Sequence, residues 1–303
     1  MSVIAVAGPT AAGKSSLSLA LAHALGGEVV NVDSMQLYRG MDIGTAKLSV
    51  AERDGVPHHL LDIWPVTQPA SVAEYQVLAR RAIDDILARG RVPLLVGGSG
   101  LYLRAVLEDF IFPGTSSELR AALEAELATT GPAVLHQRLA GLDPPAAARI
   151  LPTNGRRIVR ALEVIELTGQ PFTASLPAPT PVYKVLTLAV DRADLDERIA
   201  RRVDLMWEQG LVDEVRALEA QGLRDGLTAS RALGYQQVLA YLAGECTEQE
   251  AHAATVQGTK RFVRRQRSWL RRDSSIVWLD GMAAGLADQA LALAQKSAAG
   301  NSQ

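Results

Sequence analysis

What this 303-residue chain lacks narrows its biology before any motif is read. It holds one cysteine, Cys246, which excludes an internal disulfide and a cysteine-rich zinc site and suits a reducing cytosol. No uninterrupted apolar run approaches ~20 residues, so no segment is expected to span a membrane. No internal repeat is visible. Neither sign of charge dominates: 31 Lys+Arg against 33 Asp+Glu leave a net charge of −2, so any nucleic-acid surface must be local. What remains, 48% hydrophobic and 21% charged residues, is the make-up of a soluble globular protein. The length suits one large α/β domain plus a smaller one.

The strongest local signal stands at the start. Small apolar residues, Val3 to Ala7, run into Gly8, and an Ala/Leu-rich stretch begins at Lys14. The residues between fit G-x-x-x-x-G-K-[ST] with Gly8, Gly13, Lys14 and Ser15. A buried strand hands over to a helix through a loop whose amides converge, and the helix dipole adds positive potential. Lys14 contributes a point charge and Ser15 a hydroxyl for a magnesium ion. The motif implies a bound diphosphate or polyphosphate. It also leaves no room for a signal or transit peptide ahead of it, so the expected compartment is the cytosol.

Along the chain, a helix is predicted over Lys14 to Leu25 and a strand over Glu28 to Val32. A polar, ordered loop follows through Lys47, then a short extended piece near His58. Ser71 caps a long helix to Arg89, with Glu74 at the capping-box position. Val92 to Val96 reads as a second buried strand, closing on Gly97-Gly98-Ser99-Gly100. From Phe112 the chain turns helical and Ala-rich, and Pro171, Pro177, Pro179 and Pro181 form a connector. Lys184 to Val190 resumes the strand pattern. Helices are predicted over roughly Asp194 to Gln221, Ala229 to Ala243 and Glu248 to Arg272. A last strand, Ile276 to Leu279, and a last helix, Ala283 to Lys296, complete the pattern. Strands alternating with helices imply a parallel sheet covered on both faces. The expected architecture is an α/β core of the P-loop NTPase kind, 1–112 with 183–303, interrupted by a helical insertion at 113–182.

In such a sheet the ligand sits beyond the carboxyl ends of the strands. Three unusual strand ends should therefore converge: the phosphate loop, Asp33-Ser34-Met35-Gln36, and Gly97-Gly98-Ser99. Asp33 has two readings. It is a strand-end aspartate capping the next turn, or a carboxylate near Lys14 and a metal that accepts a proton. Gln36 offers the donor and acceptor that an adenine edge requires. Lys260 to Arg272 carries seven basic residues and no acid. On a helix Phe262, Val263, Trp269 and Leu270 share one side, with Arg261, Arg264, Arg265, Arg267, Arg271 and Arg272 opposite. A second cluster, Arg149, Arg156, Arg157 and Arg160, lies in the insertion. Basic runs are often plain solvated faces; two of them flanking a phosphate site also fit an RNA backbone.

These segments together carry a resemblance. G-P-T-A-A-G-K-S, D-S-M-Q-L-Y-R-G-M-D-I-G-T-A-K, L-L-V-G-G-S-G-L-Y, R-R-I-V-R-A-L-E, R-A-L-G-Y-Q and R-R-Q-R-S-W-L-R, in this order, resemble the tRNA dimethylallyltransferases, from Val3 to about Asp280. The absence of a C-terminal zinc finger matches the bacterial form. The resemblance implies transfer of a dimethylallyl group from dimethylallyl diphosphate to N6 of adenosine 37, in tRNAs reading codons that begin with U. It implies a diphosphate site at Gly8, Pro9, Thr10, Ala11, Ala12, Gly13, Lys14 and Ser15, with Mg2+ at Ser15. The catalytic group it implies is Asp33, Lys14 and Thr10, with Asp33 as base. Contacts to the tRNA anticodon stem-loop would come from Asp33, Ser34, Met35, Gln36, Ser99, Arg120, Arg156, Arg157, Ile158, Val159 and Arg160. Further contacts would come from Arg231, Ala232, Leu233, Gly234, Tyr235, Gln236, Arg264, Arg265, Gln266, Arg267, Ser268, Trp269, Leu270 and Arg271. No self-complementary apolar element stands out, so a monomer is expected. Rival readings are a small-molecule kinase, prenylation of free adenine nucleotides, and a non-catalytic RNA-binding protein. Against the first, Val92 to Val96 ends in glycines where a magnesium-holding aspartate would stand.

Overall fold

The computed structural model describes residues 2–110, 112–172 and 180–299; Pro177 and Pro179 of the expected connector lie outside them. The chain divides into two compact units, one running to Leu107 and resuming at Val182, the other Glu108–Pro181. The second unit starts earlier than position 113 because its two ends pair. Glu108 bridges Pro181, and the Asp109 amide donates to the Thr180 carbonyl (2.8 Å).

The first unit is built on six parallel strands: β1 (Val3–Ala7), β2 (Gly27–Asn31), β3 (His58–His59), β4 (Val92–Gly97), β5 (Val185–Asp191) and β6 (Val277–Asp280). Their order is β3-β2-β4-β1-β5-β6. Side chains of a strand alternate between faces, and β1 feeds two cores. Val3, Ala5 and Ala7 join one, Ile4 and Val6 the other. The Ile4 face is covered by α1 (Lys14–Leu25) through Leu17 and Leu21, by α8 (Leu195–Glu208) through Ile199 and Val203, and by α12 (Leu286–Ala299). On the opposite face lie α2 (Val72–Ala88), α3 (Gly100–Leu107), α9 (Leu211–Glu219) and α10 (Tyr235–Leu242). The long α11 (Glu248–Leu270) gives Val263 to one core and Leu270 to the other.

Register positions the site. Ala7 pairs with Gly97 and with Ala189, and Asn31 with Val96. The loops leaving β1, β4 and β2 therefore emerge side by side at one carboxyl edge.

Several local expectations are corrected. The helix expected over Asp194 to Gln221 breaks at Gly210, whose left-handed backbone (φ 96°) starts α9. The one expected over 229–243 is a 3-10 turn followed by α10. Ser71 caps α2 as expected, accepting from the Glu74 amide (3.2 Å). The Glu74 carboxylate, however, accepts from the Trp64 indole (3.2 Å), so no capping box closes. Helix α3 was not foreseen.

The second unit packs α4 (Ser117–Thr130), α5 (Pro132–Leu142), α6 (Pro144–Arg149) and α7 (Gly155–Thr168) around Leu123, Leu135, Leu139, Ile158 and Leu162. Within it Glu163 is fully buried, bonded by Arg120 (2.5 Å) and Arg160 (2.8 Å).

Candidate active site

A cavity of about 770 Å3 opens at that carboxyl edge. Its walls come from the phosphate loop, the 33–36 and 44–48 segments, the 96–100 loop, α8, the 231–236 segment and α11.

The phosphate loop is shaped by close packing. Gly8 has φ +142°, and a Cβ there would stand 2.4 Å from the Val190 carbonyl oxygen, so β5 itself excludes a larger residue. Ala11 adopts a left-handed φ of 68° without being glycine, a strained conformation of the kind found around ligand sites. Two side chains hold the loop. Arg198 Nε donates to the Ala11 carbonyl (2.9 Å), and Gln266 Oε1 accepts from the Thr10 amide (3.0 Å). The Gln266 Nε2 group donates to the Gly98 carbonyl (3.0 Å), tying the loops after β1 and β4 together.

Lys14 Nζ donates to the Pro9 carbonyl (2.9 Å). Burial pushes its pKa down to about 8, opposed by the Asp33 carboxylate and reinforced by Arg202. Arg202 is also held below its ordinary value by burial, with Asp33 opposing. Its Nε has no partner among the described residues, and its terminal nitrogen makes a long bond to the Thr45 carbonyl (3.5 Å). Desolvated cations that form no contact ion pair mark a place for an anion.

The structure shows the first of the two readings of Asp33, the strand-end aspartate that caps the next turn. Its Oδ1 accepts from the Met35 amide (2.9 Å), fixing the turn after β2. Asn31 clasps it from behind, accepting from the Asp33 amide and donating to the Asp33 carbonyl (2.9 Å each). Among the described residues no donor reaches Oδ2, and the residue lines the same cavity as Lys14 and Arg202, close enough for its charge to act on both. Tyr75, buried and donating to the Asn31 carbonyl (2.7 Å), packs its ring at a tilt against Tyr102. Burial raises the pKa of both phenols, so both stay neutral. Gln36 Nε2 donates to the Thr45 carbonyl (3.1 Å).

Of the residues expected here, Thr10, Ala11, Gly13, Lys14, Ser15, Asp33, Ser34, Met35, Gln36, Ser99, Arg231, Ala232, Leu233, Gln236, Arg265, Gln266 and Trp269 line the cavity. Others do not line it. Ile158 and Val159 sit in the core of the second unit, and Tyr235 and Leu270 in the core of the first. Arg120 and Arg160 hold Glu163. Arg267 is bonded to Asp191 (2.9 Å) and the Arg192 carbonyl (2.6 Å), so it does not join an outer arginine arc. Arg156, Arg157, Arg264, Ser268 and Arg271 are exposed. Arg198 and Arg202 were missed from sequence. Their signal was present: two arginines four apart, beside the Leu195, Ile199, Val203 stripe that α8 turns inward.

Residues 36–273 match the family of IPP transferases. A tRNA dimethylallyltransferase of Salinispora arenicola is 73% identical over 291 residues, covering 95% of this chain and 85% of that protein. Among solved structures, a tRNA isopentenylpyrophosphate transferase from Bacillus halodurans superposes with a TM-score of 0.71 at 41% identity, covering 99% of this chain and 96% of that one. A eukaryotic dimethylallyltransferase acting on tRNA gives a TM-score of 0.80 at 28% identity, covering 92% and 73% of the two chains. With its P-loop sheet, its cavity and a match over most of its length, this chain belongs to the IPP transferase family.

Proposed function

We propose that this protein transfers the dimethylallyl group of dimethylallyl diphosphate to N6 of adenosine 37 in tRNAs that read codons beginning with U. The observation that carries this reading is one cavity lined both by a phosphate loop with its cations and by a strand-end carboxylate. Half-buried Lys14 and Arg202 face it beside the phosphate loop, and Asp33 and Gln36 face it from the turn after β2.

The chemistry follows from those groups. An exocyclic adenine amine is a poor nucleophile because its lone pair is shared with the ring. The allylic C–O bond breaks with its electron pair leaving on diphosphate, and the N6 lone pair forms the new C–N bond. Lys14, Arg202 and the loop amides stabilise the departing charge without reorganising. Asp33 Oδ2 takes the N6 proton. Gln36, with its donor already fixed to the Thr45 carbonyl, presents an oriented amide to the base. The target base must leave its stack, which a single-stranded anticodon loop makes cheaper than a duplex does.

The donor set fits a magnesium ion. Ser15 offers an exposed hydroxyl at the end of the loop, and no group of three or more acidic, histidine or cysteine side chains is available to hold a metal among the described residues. That suits an ion bound chiefly by substrate oxygens and water. When bound it supplies further neutralisation of the diphosphate. Among the described residues no helix is long and apolar enough to cross a membrane, and we place the reaction in the cytosol.

The test is single-turnover transfer from labelled dimethylallyl diphosphate to an anticodon stem-loop. Asp33→Asn is expected to slow it at least ~10²-fold, a usual size for acid–base help. An unchanged rate removes Asp33 from the role. Label appearing from ATP, and none from the allylic diphosphate, overturns the whole reading.

A further inference from the structure

One carboxylate outside the cavity organises a wall of it. Glu214, on α9, accepts from three consecutive backbone amides of the 42–44 loop. Its Oε2 takes the amides of Asp42 (3.1 Å) and Ile43 (2.7 Å), and its Oε1 that of Gly44 (3.3 Å). The fourth donor is the Tyr235 hydroxyl (2.5 Å). Successive amides turned to one point make an anion-binding nest, and here the protein fills it with its own side chain. Burial, with Glu214 beside it, pushes the Tyr235 pKa far up, so the phenol remains a donor. The approach is close: a Cβ on Gly44 would stand 2.4 Å from the Tyr235 ring.

The next residue carries the consequence. Thr45 presents one carbonyl to two cavity-lining side chains, Gln36 Nε2 (3.1 Å) and an Arg202 guanidinium nitrogen (3.5 Å). Its own hydroxyl donates back to Met41 (2.7 Å). From the far end of the loop Lys47 fastens it again, donating to the Tyr38 carbonyl (2.9 Å), Asp42 (2.7 Å) and Asp62 (2.6 Å). A carbonyl so held can aim a flexible glutamine. Glu214 itself does not line the cavity.

We propose that Glu214, filling the amide nest at 42–44, is a positioning residue for prenyl transfer: through the Thr45 carbonyl it sets the orientation of Gln36. The inference rests on the function proposed above for Gln36. Glu214→Gln keeps size and most packing but leaves one acceptor oxygen for four donors, so the nest loosens.

The experiment is a double-mutant cycle in the full chain, read as single-turnover transfer at saturating dimethylallyl diphosphate and anticodon stem-loop. Glu214→Gln is expected to slow transfer about tenfold, with stem-loop affinity within about twofold of the parent and melting well above the assay temperature. In a Gln36→Ala background the same substitution is expected to cost less than about twofold more. Equal losses in both backgrounds, or no loss in the parent, overturn the inference. A Gln36→Ala chain that transfers at full rate instead overturns the role given to Gln36, a result distinct from a slow Gln36→Ala beside a fast Glu214→Gln. Should Glu214→Gln fail to fold, Tyr235→Phe removes a single donor from the same nest. Slowing that disappears in the Gln36→Ala background supports the inference, and slowing that persists there overturns it.

Discussion

The two units treat buried charge in opposite ways. In the helical unit, Glu163 is wholly enclosed and receives two guanidiniums, Arg120 and Arg160, so charge closes on charge. In the sheet unit, Lys14 and Arg202 are desolvated, and among the described residues neither forms an ion pair. A buried pair that satisfies itself has nothing left for a ligand. A buried cation left open costs folding free energy that binding an anion can recover. The difference separates arginines and lysines that hold the fold from those that hold the substrate.

The comparison is most exposed at Lys14. Lys14→Met keeps the length and removes the charge, and it should lower single-turnover transfer about 10³-fold, as loss of a preorganised electrostatic group does. The same variant should melt no lower than the parent, because it relieves desolvation of an unpaired cation. A large drop in melting temperature would show that the lysine holds the fold after all.

Glu163 predicts the reverse pattern. Arg120→Met with Arg160→Met leaves a buried carboxylate unpaired and should cost about 3 kcal/mol of stability by urea unfolding. Burial alone would raise the Glu163 carboxyl; the bonds from Arg120 and Arg160 hold it below its ordinary value of 4.5. Its contribution is therefore present above that value and lost as pH falls through the lower, folded one. The double variant should lose that acid sensitivity. If stability is untouched, the pair is not what closes this core.

The pH dependence of binding sharpens the contrast further. Lys14 in the free protein titrates near 8 against an ordinary 10.5. A diphosphate that needs the charged form should then bind about tenfold more weakly per pH unit above 8, until the pKa that the lysine has in the complex is reached. The sign for folding is opposite: the unfolded chain holds more protons between 8 and 10.5, so this group makes the fold more stable as pH rises there. Calorimetry with dimethylallyl diphosphate checks the first statement, and a flat profile in Lys14→Met assigns it.

How much of this was legible in sequence depends on whether a residue's partner is local. The phosphate loop and the ends of α1 were readable because strand, turn and helix signals lie within a few residues of one another. Asp33 was readable as a strand-end carboxylate, yet Asn31, which clasps it, looked like one more strand residue. Arg202 sat in a helix of mixed charge, where nothing local tells a desolvated guanidinium from a solvated one. Gln266 was hidden among arginines, although it is the residue that bridges Thr10 and Gly98, both remote in the chain. Glu214 was invisible for the same reason, its donors lying some 170 residues away.

The basic run on α11 shows the limit most plainly, because its neighbours in sequence contain no acid and its neighbours in space do. Arg267 is bonded to Asp191, at the end of β5, whereas Arg264 is exposed. The rule drawn from Glu163 and Lys14 then makes a small but sharp distinction between two arginines one turn apart. Arg264→Gln should reduce the slope of log affinity against log salt for the anticodon stem-loop by about one, the signature of one lost phosphate contact. Arg267→Gln should leave that slope alone and cost about 1 kcal/mol of stability, because it removes bonds inside the protein. Equal flattening by both would mean that Arg267 leaves Asp191 when RNA binds, and a pair at the surface would not close on itself as the buried one does.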